Sequence, residues 1–569
     1  MFAVLLVVLV ALLDIASAVT ADKRDCWYDD CEQQVKSFEK INVSPSLLEA
    51  SNPAKTGLLP VAWSDDEQSY YSVISVGNIS FRVALDTGSA DLWITSSACT
   101  TSACHSVPKY PLTYQSPSFA SVNDNNTAFS VSFADGTAAS GYVAREKVQL
   151  SNLTVPNQAF GMVSQSNVTM GSQMSGILGL GFPRLSTISN NVVNATPFFA
   201  SLSQQGIVNY PLFGLSLTRN TSGTLTLGAI DSSVVKDVSQ IEWNEVVAFS
   251  PFGTERNTTS YLQWAIPMGN ILVNGSAITP SPTYPTAYSN QSLALLDVGT
   301  PGIYGPYQDV SSIFSAIDGS RLVDTKDGGQ WALPCDVSET ISFVFGTTNF
   351  TLQPSDYLIG PTSGNPDLCL AWPRASAPSS DGIDWQLGSP FLRTVYSIFS
   401  YGIDAKEPPM IGLYPRNNAS APVESPQYIS SFMSAASATV ATTLPNYLLP
   451  TPSYSTPPFA FNTSIPASIG QIVTSDLATS TYSPILATPA ALNVTAIPTV
   501  SPSPTLLTLI ITDTSGEVRT TTSTASTPSV TLGVPYGWSA SAGSRLPVPL
   551  SRTLLACLSL VVLVLSSTS

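Results

Sequence analysis

Between about residues 68 and 415 the chain alternates short runs of β-branched and aromatic residues with Gly, Asn, Asp and Pro turns. In YYSVISVGNISFRVAL (70–85), AFSVSFADGTAASGYVA (128–144) and GTLTLGAI (223–230) the runs are short and end at turn residues. That is the signature of strands rather than helices. One helical signal interrupts them, TPFFASLSQQG at 196–206, opened by Thr-Pro and closed by Gly. The pattern predicts a mostly β fold.

The two ends follow other rules. MFAVLLVVLVALLDIASAVT (1–20) carries an apolar run of about a dozen residues before Ala16-Ser17-Ala18, which reads as a cleavable signal peptide over 1–18. A polar leader follows, with the dibasic Lys23-Arg24 and the CWYDDC loop; the dibasic pair is either a processing site or two solvated charges. Beyond 416, Ser, Thr, Pro and Ala dominate, and Arg519 is the one basic residue between Asn417 and Ser544. Such a composition buries too little apolar surface to offset chain entropy and predicts a disordered, O-glycosylated stalk. At the C-terminus the small residues 539–544, a short spacer and an apolar tail from Leu554 to Leu565 have the layout of a glycosylphosphatidylinositol (GPI) attachment signal. Ser541, Ala542 and Gly543 are equivalent candidates for the attachment residue.

Charge narrows the function classes. Charged residues make up 11% of 569, with a net charge of −16 and a pI near 4.4. A field of that sign repels phosphate backbones and excludes a nucleic-acid partner; it is compatible with work in acid. Cysteine usage fits secretion: Cys26/Cys31, Cys99/Cys104 and Cys335/Cys369 can form three pairs, and the seventh, Cys557, lies in the tail that attachment would remove. Acceptor sequences at Asn78, Asn125, Asn152, Asn167, Asn220, Asn257, Asn274 and Asn349 imply a glycosylated surface.

The feature that carries chemistry is a repeat. ALDTGS places Asp86 after two apolar residues, and LLDVGT does the same for Asp297. ILGLGF and QLGSPF follow, so that Gly179 comes 93 residues after Asp86 and Gly388 comes 91 after Asp297. Two similar lobes, each presenting one aspartate, are the economical reading. Brought together across a pseudo-twofold axis, the two carboxylates could not both ionise easily, so the pair would hold one proton. One member can then act as base on a shared water while the other polarises a carbonyl. Ser89 and Thr300 are placed to donate hydroxyl hydrogen bonds, and Gly88 and Gly299 let the backbone approach each carboxylate.

Those residues, ALDTGSADLW (84–93) and LLDVGTPGIY (295–304), resemble the two active-site signatures of pepsin-like aspartic proteases over roughly 68–415. With the stalk and lipid signal, the chain resembles most the fungal surface-anchored branch. The resemblance implies an all-β, bilobal pepsin-like fold with few short helices, and an endopeptidase acting on extended peptides. Its catalytic pair would be Asp86 and Asp297, supported by Thr87, Gly88, Ser89, Gly299 and Thr300. It implies a flap at 132–141, where Phe133 and the backbone of Asp135, Gly136 and Thr137 meet substrate, and subsites near Trp93 and Ile177. It matches Cys99–Cys104 and Cys335–Cys369 to the family's disulfides and implies no cofactor. The expected division is signal peptide 1–18, leader or short propeptide 19–67, first lobe 68–235, second lobe 236–415, stalk 416–543 and removed signal 544–569.

Three positions depart from the family pattern: Val298 where a hydroxyl residue usually stands, Phe133 for the flap tyrosine, and Pro301 directly after the second signature. None removes a carboxylate, so a working enzyme is expected. The rival reading is a surface glycoprotein that keeps the two-lobe fold for binding or wall organisation; a third is a membrane-spanning adhesin with the β region as its head. The lone His105 reads as a solvated loop residue, which leaves no serine-protease triad. The cysteines lack zinc-site spacing, so no metal is expected, and Asp65-Asp66-Glu67 reads as a solvated run. The chain is expected to act as a monomer on peptide or protein substrates at the cell surface, reached by the secretory pathway and held to the membrane by lipid.

Overall fold

In the computed structural model, the alternation of 70–85 becomes an antiparallel pair, Tyr70–Val76 and Ile79–Asp86, closed by a two-residue turn. Gly77 (φ +59°) and Asn78 (φ +64°) supply the left-handed conformations such a turn requires. The structure describes residues 55–436, with breaks at 220–222, 249–260, 325–328, 363–364, 404–405 and 417–420. Beyond 436 it describes 455–457, 482–486, 493–502, 506–512, 518–524 and 531–535. The signal peptide, Lys23-Arg24, Cys26–Cys31, Asn220, Asn257, the attachment candidates Ser541, Ala542 and Gly543, and the tail with Cys557 lie outside the described residues.

The chain divides into two compact units, Ala54–Ser501 with Val530–Ser569, and Met1–Pro53 with Pro502–Ser529. The described part of the second is the antiparallel hairpin Leu506–Thr512/Val518–Thr524. The larger unit is mostly strand and holds both halves of the repeat. In the first half, Ile79–Asp86 lies parallel to Met174–Gly179, which runs antiparallel to Leu92–Thr95. In the second, Ser292–Leu296 lies parallel to Trp385–Leu387, which runs antiparallel to Ile303–Pro306. The two aspartates thus leave equivalent strands of two similar lobes, as the matched spacing implies.

A shared sheet joins the lobes, in the order Glu242–Glu245, Met410–Pro415, Val395–Ser400, Leu212–Ser216, Gly223–Leu227, Gly57–Trp63. At its seam Phe213 faces Phe399 in register, their rings stacked at 4.9 Å. Trp264 meets Phe182 at 4.1 Å and Tyr401 at 5.0 Å, all three buried. Aromatic pairs of this kind add about 0.5–1.5 kcal/mol each beyond the area they bury. The lobe interface is therefore core rather than hinge. The helix expected at 196–206 forms as Phe198–Gln204, ended by Gly206 at φ +63°.

One expectation needs correction, and two segments placed outside the lobes add structure to them. Within the expected leader, Gly57–Trp63 pairs with Gly223–Leu227 as a strand of the shared sheet, with Leu59 and Val61 buried. Asp65 and Asp66 are not simply solvated, for they accept from the Ser172 and Gly171 amides at 2.6 and 2.8 Å and hold that turn. The segment 416–543 carries apolar islands that dock on the lobes. Pro426–Ala436 is helical with Ile429 and Met433 buried, Tyr482 and Leu486 are buried, and Thr499–Val500 pairs in parallel with Ile230–Asp231. Disulfides join Cys99 to Cys104 and Cys335 to Cys369.

Candidate active site

Asp86 ends its strand and Asp297 directly follows its own, so each carboxylate sits where a strand gives way to a tight loop. Each is 8% exposed. Their settings repeat. Gly88 N–H donates to Asp86 Oδ1 at 2.9 Å and Ser89 Oγ to Oδ2 at 2.5 Å. Gly299 N–H donates to Asp297 Oδ1 at 3.0 Å and Thr300 Oγ1 to Oδ2 at 2.7 Å. Two donors on each carboxylate fix its plane and hold its outer oxygens in place.

The two loops approach so closely that only glycine fits between them. A Cβ on Gly299 would stand 2.4 Å from Asp86 Oδ1, and one on Gly88 would stand 3.0 Å from Asp297 Oδ2. Across this contact, burial and then the neighbouring Asp297 charge push Asp86 up to about 7, against the pull of the Ser89 hydroxyl. A like-charged pair removed from water favours one shared proton.

The lock between the loops is one-sided. Buried Thr87 places Oγ1 3.1 Å from both the Leu296 carbonyl and Asp297 Oδ1, and accepts from Val298 N–H at 3.0 Å. Val298, fully buried, returns no hydroxyl.

The repeated glycines lie under the loops. Leu180 N–H donates to the Asp86 carbonyl and Gly181 N–H to that of Ser89, both at 2.7 Å; Ser389 N–H donates to the Thr300 carbonyl at 2.9 Å. A Cβ on Gly179 would meet the Ala90 carbonyl carbon at 2.4 Å, and one on Gly388 the Thr300 oxygen at 2.0 Å. This is the physical reason for the second half of the repeat.

The flap candidate is a hairpin of Ala128–Ser132 with the long strand Ala138–Leu150. Its tip closes through Phe133 N–H to the Thr137 carbonyl at 2.8 Å and Gly136 N–H to the Phe133 carbonyl at 3.0 Å, with Gly136 at φ +82°. Asp135 Oδ1 accepts from Thr137 N–H and Oγ1 at 2.8 and 2.7 Å. Phe133 packs on an apolar cluster that includes Trp93 and Ile177, which face each other across adjacent strands. Trp93 is 2% exposed, and among the described residues its Nε1 meets no acceptor. Pro301 lies in the loop after Thr300 and is partly buried. His105 is exposed, its Nε2 3.0 Å from the Thr100 carbonyl.

Two supports give no sequence signal of their own. Trp264 Nε1 and Tyr401 Oη reach from the second lobe to donate to the Leu180 carbonyl at 3.0 and 2.7 Å, beneath the Asp86 loop. Asp91, also buried, accepts from Ser186 Oγ, Thr187 N–H and Thr187 Oγ1 at 2.5–2.8 Å, pinning the chain after Phe182 to the Asp86 loop. Asp91 lies inside ALDTGSADLW, where its own carboxylate signals nothing without its partners 95 residues away.

Comparisons agree with this geometry. A sequence model of the eukaryotic aspartyl protease family matches residues 69–406. The aspartic protease of Phaffia rhodozyma is 33% identical over 352 residues, covering 61% of this chain and 77% of that protein. Major aspartyl peptidase 1 of Cryptococcus neoformans is 26% identical over 369 residues, covering 62% and 70%. Mouse cathepsin E is 28% identical over 348 residues, covering 59% and 78%.

Proposed function

The chain belongs to the eukaryotic aspartyl proteases, and on that premise we propose that Asp86 and Asp297 are its catalytic pair. It is an aspartic-type endopeptidase acting on peptides or proteins. The observation that carries the assignment is the symmetric seating of the two carboxylates, each on a glycine amide and a hydroxyl, with glycine alone fitting between them.

In acid the pair holds one proton. The ionised member takes a proton from a water lodged between the carboxylates while the protonated member donates to the scissile carbonyl oxygen. Water attacks the carbonyl carbon, and the tetrahedral intermediate collapses as the leaving nitrogen is protonated. The amide and hydroxyl donors keep both carboxylates aimed at the water before substrate arrives. The flap backbone at 135–137 pairs with an extended peptide, and Phe133, Trp93 and Ile177 wall an apolar subsite. Val298 and Phe133 each remove one supporting hydroxyl and lower the rate without changing the chemistry.

The enzyme reaches the cell surface through its signal peptide and is held there, as a monomer, by lipid attached at Ser541, Ala542 or Gly543. Secreted protein lacking residues 539–569 is to be assayed against a mixed peptide library from pH 3 to pH 7, with and without a pepstatin-type inhibitor. Inhibitor-sensitive cleavage, strongest in acid, is expected; cleavage that resists the inhibitor, or none from folded protein, overturns the assignment. Release of the full chain from cells by a phosphatidylinositol-specific phospholipase tests the anchor.

A further inference from the structure

We infer that the Ser/Thr/Pro-rich segment is a strap that returns to the first lobe and seats the enzyme against the membrane, rather than a spacer that carries it away. The inference rests on the lipid-anchor reading above for its membrane end and on residues 531–535 for its protein end.

The segment is tied down in sequence. The Ile485 and Leu486 amides donate to Glu407 Oε2 at 2.8 and 2.7 Å, completing a buried carboxylate that also accepts from Tyr210 Oη at 2.7 Å. Tyr482 Oη bonds the Val208 carbonyl at 2.9 Å. Farther on, Ile230 N–H donates to the Pro498 carbonyl and Ser232 N–H to that of Val500, both at 2.9 Å.

The last described piece completes the return. Ser80 bridges Leu532, Ile79 bridges Pro535, and Gly533 N–H donates to the Ser80 carbonyl at 2.9 Å. Gly533 has φ +72°, and a Cβ there would stand 2.8 Å from Pro108 Cβ, so the seat accepts glycine only. Leu532 walls a cavity of ≈ 490 Å³ with Arg82, His105, Val107 and Pro108. Val534 is 42% exposed on the outer side of the strap.

The consequence is a matter of reach. Ser541 follows Pro535 by six residues and Gly543 by eight, which span at most about 21–28 Å. A free coil from residue 416 to Ser541 would instead have a root-mean-square length of about 60 Å. The docked strap therefore keeps the face around Ile79, Ser80 and the 105–108 loop next to the bilayer.

The test uses the full chain on cells, with its own C-terminal signal, the pair Ser80→Cys/Leu532→Cys, and a site-specific protease sequence inserted between residues 525 and 530. A disulfide is expected to form, so that cutting the inserted site leaves the lobes on the cell until reductant is added. Each single-cysteine variant is expected to lose its lobes on cutting, with activity on soluble peptide unchanged throughout. Free thiols in active protein, or lobes lost on cutting under oxidising conditions, overturn the strap. Phospholipase must release the uncut protein: if the disulfide holds but phospholipase fails, the anchor reading and the membrane placement fall together. Independently, the Gly533 amide, which donates to the Ser80 carbonyl, should exchange at least tenfold more slowly than in an unstructured peptide, and Gly533→Val should abolish the protection at that position. An unprotected Gly533 amide in the parent chain overturns the proposal.

Discussion

Thr87→Val removes the one hydroxyl that ties the two aspartate loops together while nearly preserving volume, so it isolates the lock from packing. Thr87 Oγ1 accepts from Val298 N–H at 3.0 Å and lies 3.1 Å from the Leu296 carbonyl. Both partners are buried, and a buried polar group stripped of its bond costs about 1–3 kcal/mol. Where two hydroxyls share the work, losing one leaves the other; with Val298 opposite, nothing replaces Thr87. The variant should lose about 2–4 kcal/mol of unfolding free energy in a urea titration. Its kcat should fall more than its KM rises, because the loop held is the one carrying Asp297. Thr87→Val with Val298→Thr should recover at least half of the stability, since the pseudo-twofold relation offers the new hydroxyl an equivalent position. A loss under about 0.5 kcal/mol with an unchanged pH–rate profile would refute the reasoning.

Other expectations follow the same geometry. Phe133→Tyr brings a phenol toward the cluster containing Trp93, whose Nε1 meets no acceptor among the described residues; kcat/KM should rise several-fold, and no change would place that N–H out of the flap's reach. Burial and Asp297 hold Asp86 near 7 rather than 3.8, so its protonated form is the one the fold favours. That contribution is complete below about pH 4 and fades as pH rises through 7, a loss on the order of 4 kcal/mol. Asp86→Asn should flatten the stability profile over that range, and an equally steep profile in the variant would assign the dependence elsewhere. Ending the chain at residue 416 removes the Ile485 and Leu486 donors from buried Glu407, which should destabilise the lobes by about 1–3 kcal/mol in thermal or urea unfolding; unchanged stability would mean the docking carries no energy.

Much of this was legible in sequence because the motifs are local. Each Asp-X-Gly-Ser/Thr tetrad carries its own donors, so the settings of Asp86 and Asp297 follow from four consecutive residues. What was not legible depends on distant partners. Gly57–Trp63 contains Pro60 and runs into an acidic stretch, both poor strand signals; it becomes a strand because Gly223–Leu227 waits for it. Trp264 and Tyr401 look like ordinary core aromatics until their polar atoms meet the Leu180 carbonyl. The segment after 416 reads as Ser, Thr, Pro and Ala throughout, and that bulk composition conceals Tyr482, Leu486 and Ile497, which are buried one at a time.

The account stands or falls on whether the two carboxylates act as one unit. The direct measurement is kcat for Asp86→Asn, Asp297→Asn and the double variant, beside pepstatin-type inhibitor binding, in protein with its parent fold. A single proton-sharing centre predicts that each single variant loses at least about 10³-fold and that the double variant is no worse than either. Substantial activity in one single variant, or losses that multiply in the double, would contradict it.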